Sequence, residues 1–284
     1  MKNKRILITG IAGSIGSELT RQLYKNNKVY GLDIAEMGVH KLKLELGIPA
    51  RVGNVRDRET LRNVFEDFKP QVVFHAAAYK SVDMMEYAPE EAIYTNVLGT
   101  LNVLDYSKIH EVNNFVFIST DKVVNAKSIM GKTKSLGETM TINSGYVVVR
   151  FGNVLGSTGS LMEIWQDQIN QGKPVTITDE KMARYFMTIP EAVTLVIRAA
   201  EIGNGGEVIC FEMGSPVKIL DIAKEIIQKL RRDIPIEVIG NRGGEVLEEK
   251  LMTEENVSSR NYLKQQISDE SENPNAQLNL FDPI

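Results

Sequence analysis

Through the first 150 residues, short runs rich in Val, Ile and Phe alternate with longer segments of helical periodicity, and this alternation is what most narrows the possible folds. The spacing predicts strands at residues 5–9, 29–33, 50–53, 71–75, 115–119 and 146–150, with helices between them that include 58–68 and 90–110. Strands that are almost continuously apolar, separated by ten or more helical residues, belong to a parallel sheet covered on both faces. Right-handed crossovers then give an α/β, doubly wound Rossmann sheet. Beyond Arg150 the rhythm loosens into a helix at 161–171, a strand at 175–178 and a helix opened by Pro190. A strand at 207–211, a helix at 218–230 and a strand at 234–239 follow. The expected division is a cofactor domain over 1–150, completed by 186–209, and a smaller carboxy-terminal substrate-binding domain over 151–262. The sequence turns polar from about Ser258, so 268–277 reads as disordered and 263–284 as a flexible tail.

Between the first strand and the first helix lies Gly10-Ile11-Ala12-Gly13-Ser14-Ile15-Gly16. Glycines there let the backbone turn tightly and approach a pyrophosphate, whose charge the helix amino terminus favours. A glycine cluster alone is equally an ordinary tight turn. Its position, with Asp33 closing the second strand, makes a dinucleotide site the stronger reading. The Asp33 carboxylate would accept from a ribose 2′-OH and repel a 2′-phosphate, so NAD is expected rather than NADP; as a simple helix cap it would do neither. Asn54 and Val55 are expected near the adenine, and Ala76, Ala77 and Ala78 beside the cofactor, where larger side chains would collide. His75 reads as a packed strand-end residue.

The fifth strand ends in Ser119-Thr120-Asp121-Lys122, and Met130-Gly-Lys-Thr-Lys134 opens the next helix. Catalytic groups of open α/β sheets gather at the carboxyl ends of strands. Adjacent Asp121 and Lys122 set an acid and an amine side by side, a proton donor and acceptor, although a salt bridge between them favours both charged forms. The alternative for the pair is a surface ion pair, for Lys134 a solvated helix lysine, and for Met130 core packing.

Composition removes other classes. Of 284 residues, 43% are hydrophobic and 25% charged, ordinary for a globular protein. A net charge of −4 supplies no basic stripe for nucleic acid. The single Cys210 excludes an internal disulfide, and three scattered histidines show no metal-ligand spacing, so no metal is expected. No apolar run approaches the length of a membrane span, and the first one breaks into glycines too early for a signal peptide. The expectation is a cytoplasmic protein without a membrane span.

The glycine cluster, His75-Ala-Ala-Ala-Tyr-Lys80, Asn96-Val-Leu-Gly-Thr100 and Ser119-Thr-Asp-Lys122 resemble the extended short-chain dehydrogenase/reductases. Arg150-Phe-Gly-Asn153-Val-Leu-Gly-Ser157, Arg184-Tyr-Phe-Met-Thr188 and Gly240-Asn-Arg-Gly-Gly-Glu245 look like their polysaccharide-biosynthesis branch, which includes UDP-N-acetylglucosamine 4,6-dehydratases. Many relatives there carry a membrane-spanning amino-terminal half, whereas this chain opens on the catalytic domain. The resemblance covers residues 4–255. It implies an NAD-dependent hydro-lyase of surface-glycan synthesis, working as a homo-oligomer (dimer or hexamer) on a nucleotide-sugar, UDP-N-acetylglucosamine above others.

Carried over by position, it implies Lys122 as base, Asp121 as acid, Thr120 on the sugar 4-OH and Lys134 on the nicotinamide ribose, with Asn96 and Ser119 also at the cofactor; the 4-OH proton goes either to Lys134, directly or through Thr120 and water, or to the Asp121-Lys122 pair serving twice. Lys80, Asn153, Arg184, Arg242 and Glu245 would hold the substrate, arginines matching diphosphate oxygens with their fixed fork of donors. Three positions depart from the pattern. Met130 replaces the superfamily tyrosine, Arg242-Gly-Gly-Glu245-Val246 lacks the usual Pro and Lys, and Asn54 stands where Asp is common. A 4-epimerase on the same scaffold, or an NAD-sensing protein without turnover, are the competing readings.

Overall fold

The computed structural model describes residues 1–231, 233–240, 245–252 and 262–263. The strands are β1 (Arg5–Thr9), β2 (Lys28–Asp33), β3 (Ala50–Val52), β4 (Val72–His75), β5 (Asn114–Thr120), β6 (Val147–Phe151) and β7 (Asn153–Leu155). They continue with β8 (Val175–Ile177), β9 (Ala183–Arg184), β10 (Phe186–Thr188), β11 (Glu207–Phe211), β12 (Val217–Lys218), β13 (Ile236–Val238) and β14 (Tyr262–Leu263). The helices are α1 (Ser14–Leu23), α2 (Glu36–Leu46), α3 (Arg58–Phe68), α4 (Val82–Tyr87) and α5 (Pro89–Ala92). After them come α6 (Thr100–Ile109), α7 (Ile129–Asn143), α8 (Leu161–Asn170), α9 (Ile189–Ile202) and α10 (Ile219–Leu230).

The main sheet runs β3-β2-β1-β4-β5-β6-β11-β14, with every pairing parallel. Strand residues alternate between two apolar layers, as a pleat of period two requires. Ile6, Ile8, Phe74, Val116, Ile118 and Val149 pack on one face with Leu19 and Leu23 of α1 and Val193 and Val196 of α9. Leu7, Val73, Phe115, Phe117 and Val148 pack on the other with Leu61 and Phe65 of α3 and Val103 of α6. This is the expected doubly wound α/β fold. Strand order reverses between β1 and β4, and ligands of such sheets bind beyond the carboxyl ends of the strands at that point.

The helix expected over 90–110 is interrupted by a π-helical segment, Ile93–Gly99, that joins α5 to α6. Sequence periodicity does not register the extra residue per turn. Five short strands also escaped it: β7 pairs with β10, β9 pairs with β12, and β14 pairs with β11. Strand β11 lies beside β6, so the chain returns to the main sheet after α9. A smaller core forms from Met162, Trp165 and Ile169 of α8, Val175 and Ile177 of β8, and Ile219, Ile222 and Ile226 of α10. The tail expected over 263–284 lies outside the described residues, apart from Leu263 at the end of β14. No helix among the described residues is long and apolar enough to cross a membrane.

Candidate active site

A cavity of about 890 Å³ opens between the carboxyl ends of the main strands and the smaller core, and its wall includes Gly10, Gly13, Ser14, Ile15 and Gly16 at one end. Gly10 has φ +74°, and a Cβ there would lie 2.6 Å from the Ala76 carbonyl carbon. A Cβ on Gly16 would lie 2.1 Å from the Gly10 carbonyl oxygen, whereas one on Gly13 would meet only that oxygen, at 3.3 Å. Two glycines are thus required by the protein's own packing, and the third leaves the start of α1 open to a close neighbour. First-turn N–H groups of a helix lack intrahelical partners and attract anions. Deeper in, Ser119 Oγ is buried with no hydrogen-bond partner among the described residues, on the cavity wall. An open helix start and an orphaned hydroxyl along one trough fit a dinucleotide.

Ala76 and Ala78 line the cavity, but Asp33, Asn54, Val55, Ala77 and Asn96 do not. Asp33 accepts from Ala12 N–H at 2.8 Å and Ala35 N–H at 2.9 Å, so its carboxylate braces the glycine loop. Asn54 closes a local turn by accepting from Arg56 N–H, while Val55 and Ala77 join the apolar layer under α3. Asn96, on the π-helical segment, accepts from Tyr79 N–H at 2.8 Å and donates to Tyr79 O and Thr133 Oγ1. It fastens the 76–80 stretch to α7 from behind. His75 is fully buried between Thr9 and Thr100. The Thr100 hydroxyl already donates to Asn96 O, so it accepts from Nε2–H, and Nδ1 accepts from Thr9. Burial, helped by the Lys134 charge, pushes this histidine down to about 3; it is a neutral packing residue.

The chemical centre follows β5. A single 3-10 turn, Asp121–Val123, presents Asp121 and Lys122 to the cavity. Lys122 Nζ lies 3.0 Å from Asp121 Oδ1, 3.0 Å from Asn153 Oδ1 and 3.1 Å from Glu249 Oε2. The Thr120 hydroxyl donates to Asp121 Oδ1 at 2.8 Å. The turn is pinned by α7, because a Cβ on Gly131 would lie 2.4 Å from the Lys122 carbonyl oxygen.

Burial lowers the Lys122 pKa, but the charges of Asp121 and Glu249 and their hydrogen bonds raise it further, so the net direction is up. Pairing wins over desolvation, and Lys122 rests as an ammonium. Burial raises Asp121, and the Lys122 charge with hydrogen bonds from Glu249, Thr120 and Lys122 brings it below its ordinary value. Lys134 differs: burial outweighs the Glu138 charge and brings it down to about 7. Its Nζ donates to Ile118 O at 2.6 Å and sits 3.9 Å from the Phe117 ring centroid. Met130 is buried with Met85 and Ala92 while also touching the cavity.

Of the residues expected to hold substrate, Lys80, Asn153, Arg184 and Glu245 line the cavity; Arg242 lies outside the described residues. Lys80 reaches Ser157 Oγ and Thr158 O, tying the 76–80 stretch to the loop after β7. Thr158 N–H in turn donates to Ser14 Oγ at 3.0 Å, so this loop straps across to the glycine turn. Arg184 is already engaged: it donates to the carbonyls of Ala183, Val246 and Leu247 and pairs with Glu249 at 3.5 Å. Its fork, expected on a diphosphate, is used to fold the 246–249 segment over the site. That segment delivers Glu249, which sequence reasoning missed. Nothing local separates it from exposed Glu248, and Lys122 is 127 positions away.

A family model described as polysaccharide biosynthesis protein matches residues 6–270. The chain belongs to that family. It is an extended short-chain dehydrogenase/reductase of the polysaccharide-biosynthesis branch. The capsular polysaccharide biosynthesis protein CapD of Staphylococcus aureus is 44% identical over 279 residues, 90% of this chain and 46% of that protein. This family member therefore spans about half the length of that relative. A UDP-glucose 4-epimerase of Rickettsia bellii is 32% identical, over 92% of this chain and 81% of its own length. Among solved structures, Pen from Bacillus thuringiensis superposes with a TM-score of 0.84 at 31% identity, over 89% of this chain and 84% of its own.

Proposed function

We propose that this protein is a sugar-nucleotide-modifying enzyme, and specifically an NAD-dependent 4,6-dehydratase acting on UDP-N-acetylglucosamine. The observation that carries the reading is Asp121 and Lys122 side by side on the cavity wall, 3.0 Å apart, at the carboxyl end of β5. A 4-epimerase needs hydride exchange at C4 but no second proton pair for C5 and C6. When bound, NAD supplies a hydride acceptor for C4 and the hydride later returned to C6. The glycine turn, α1 and Ser119 would hold it, with Lys134 orienting the nicotinamide ribose. The negative Asp33 beside the glycine loop favours NAD over NADP.

The remaining chemistry is proton traffic. A C4 ketone acidifies the C5 proton, which Lys122 removes as an amine while Asp121 protonates the departing C6 hydroxyl. Methionine cannot take the C4 hydroxyl proton, since its thioether accepts only weakly. Thr120 supplies a way round Met130: its hydroxyl already donates to Asp121, so a proton received from the sugar passes on to that carboxylate. Domain roles follow, with 1–150, completed by 186–209, serving NAD and most of 151–262 serving the sugar nucleotide.

The test is incubation with UDP-N-acetylglucosamine and catalytic NAD, read by mass spectrometry and NMR. A 4-keto-6-deoxy product lighter by one water is expected. A product of unchanged mass inverted at C4 would establish the epimerase, the activity in the name of the Rickettsia relative. Lys122→Met is expected to abolish turnover with NAD affinity within a few-fold; full turnover would remove Lys122 from the mechanism.

A further inference from the structure

The site holds a third ionisable group for which the proposed chemistry has so far no use. Glu249 is buried, with a side chain only 4% exposed, and contacts the proposed base and the proposed acid together. Its Oε2 accepts from Lys122 Nζ at 3.1 Å, and when protonated its carboxyl can donate to the Asp121 carboxylate, which raises its pKa. Asp121 Oδ2 is buried and meets no N–H or hydroxyl donor among the described residues, so a proton on Glu249 is what would satisfy that carboxylate. Among the described residues, the groups facing Glu249 are Lys122 and Asp121 from the 3-10 turn and Arg184 from β9, with neutral Asn153 of β7 beyond Lys122. Its neighbours Glu248 and Lys250 are exposed.

Proton counting shows why such a group is needed. The resting site has Lys122 as ammonium and Asp121 as carboxylate, while elimination requires a neutral amine and a protonated acid. Arrival of the C4 hydroxyl proton at Asp121 makes the acid but leaves Lys122 charged, so the site then holds one proton too many. We propose that Glu249 is the store for this surplus proton, taking it from Lys122 before elimination and returning it when turnover ends.

The cycle closes. It starts from the form present above the Glu249 pKa, with Lys122 protonated and both carboxylates ionised. Oxidation at C4 sends the hydroxyl proton through Thr120 to Asp121, and Lys122 passes its own proton to Glu249. Elimination breaks the C5–H and C6–O bonds, gives the C5 proton to Lys122 and the Asp121 proton to the departing water. Lys122 then reprotonates C5 as hydride reaches C6, and Glu249 returns its proton to Lys122. No proton is exchanged with solvent. Burial raises the Glu249 pKa to about 7, against the charges of Lys122 and Arg184 and with that of Asp121, so both its forms are accessible near neutrality. Glu249 acts through Lys122 and is a positioning residue.

This inference rests on the dehydratase reading, and the experiment separates the two. Glu249→Gln keeps the shape and a hydrogen-bond acceptor but cannot take a proton. Its kcat is expected to fall about 100-fold, the contribution of a well-placed proton acceptor, with KM and NAD affinity within a few-fold. In single turnover, reduced cofactor absorbing at 340 nm should accumulate, because oxidation proceeds and elimination stalls. Residual kcat should climb with pH as solvent takes the Lys122 proton, while Glu249→Asp recovers part of the rate. Without substrate, carbon-13 NMR of glutamate carboxyls should show one titrating near pH 7 in the parent and absent from Glu249→Gln. A parent that dehydrates while Glu249→Gln keeps its kcat and pH profile overturns the Glu249 role alone; a parent giving no 4-keto-6-deoxy sugar overturns the dehydratase reading. Absence of any glutamate titrating between pH 6 and 8 also overturns the proton store.

Discussion

Lys122 gathers three oxygens, one from its neighbour Asp121 and two from distant parts of the chain, Asn153 31 positions on and Glu249 127 positions on. The Asp121 contact is legible in the sequence because adjacency alone brings the two groups together. Whether the pair rests charged or neutral is not, since it depends on whether burial or partner charges weigh more. Glu249 adds its charge to that of Asp121, and together they outweigh burial and keep Lys122 an ammonium. Gly131 illustrates the same dependence. It reads as one more residue between Met130 and Lys134, yet it is where α7 touches the turn carrying the base. Gly131→Ala should push the Lys122 carbonyl aside, lower kcat at least tenfold and cost about 1–3 kcal/mol as overpacking does. Steady-state kinetics with thermal melting checks both, and unchanged kcat would show that the turn tolerates displacement.

At the scale of elements, the long regular pieces were readable and the short or irregular ones were not. Helix α3 spans Arg58–Phe68 as its periodicity predicts, helped by Asp57, which caps the N–H groups of Glu59 and Thr60. Strand β11 likewise spans Glu207–Phe211 as read. The π-helical segment and β7, β9, β10 and β12 are two to seven residues long, too short for a pattern to repeat. Helix α7 carries Met130 and Lys134, and its start depends on Ser128, whose Oγ accepts from Gly131 N–H at 3.1 Å. Ser128→Ala should cost about 1 kcal/mol, typical of a lost amino-terminal cap. Differential scanning calorimetry should then record a melting point lower by about 2–4 °C, the shift usual for a domain of 150–250 residues.

For the molecule as a whole, Glu249 ties catalysis to stability. A carboxyl whose folded pKa is raised from 4.5 to about 7 binds a proton more tightly when folded than when unfolded. Its contribution is therefore full below the unfolded value and is lost as pH rises through the folded one. Lys134, lowered from 10.5 to about 7, acts in the opposite sense above neutrality, where folding gains as pH rises. Glu249→Gln removes only the first slope. Relative to the parent, its melting temperature should rise between pH 5 and pH 8. Thermal melts at both values check this, and a parallel pair of curves would place the Glu249 pKa near its ordinary value.

The sequence by itself determined the doubly wound sheet, the glycine turn at its first crossover and the Asp–Lys pair ending β5. Each is encoded by neighbours in the chain: side chains alternating over a pleat, glycines between a strand and a helix, two polar residues in succession. Only the tertiary structure decided that Arg184 clamps the 246–249 segment, that Asn96 braces Tyr79 from behind and that a glutamate completes the proton centre. Those outcomes depend on which distant groups share one buried, weakly screening space. Local pattern carries no record of that, because charge and desolvation act through distance in space rather than along the chain.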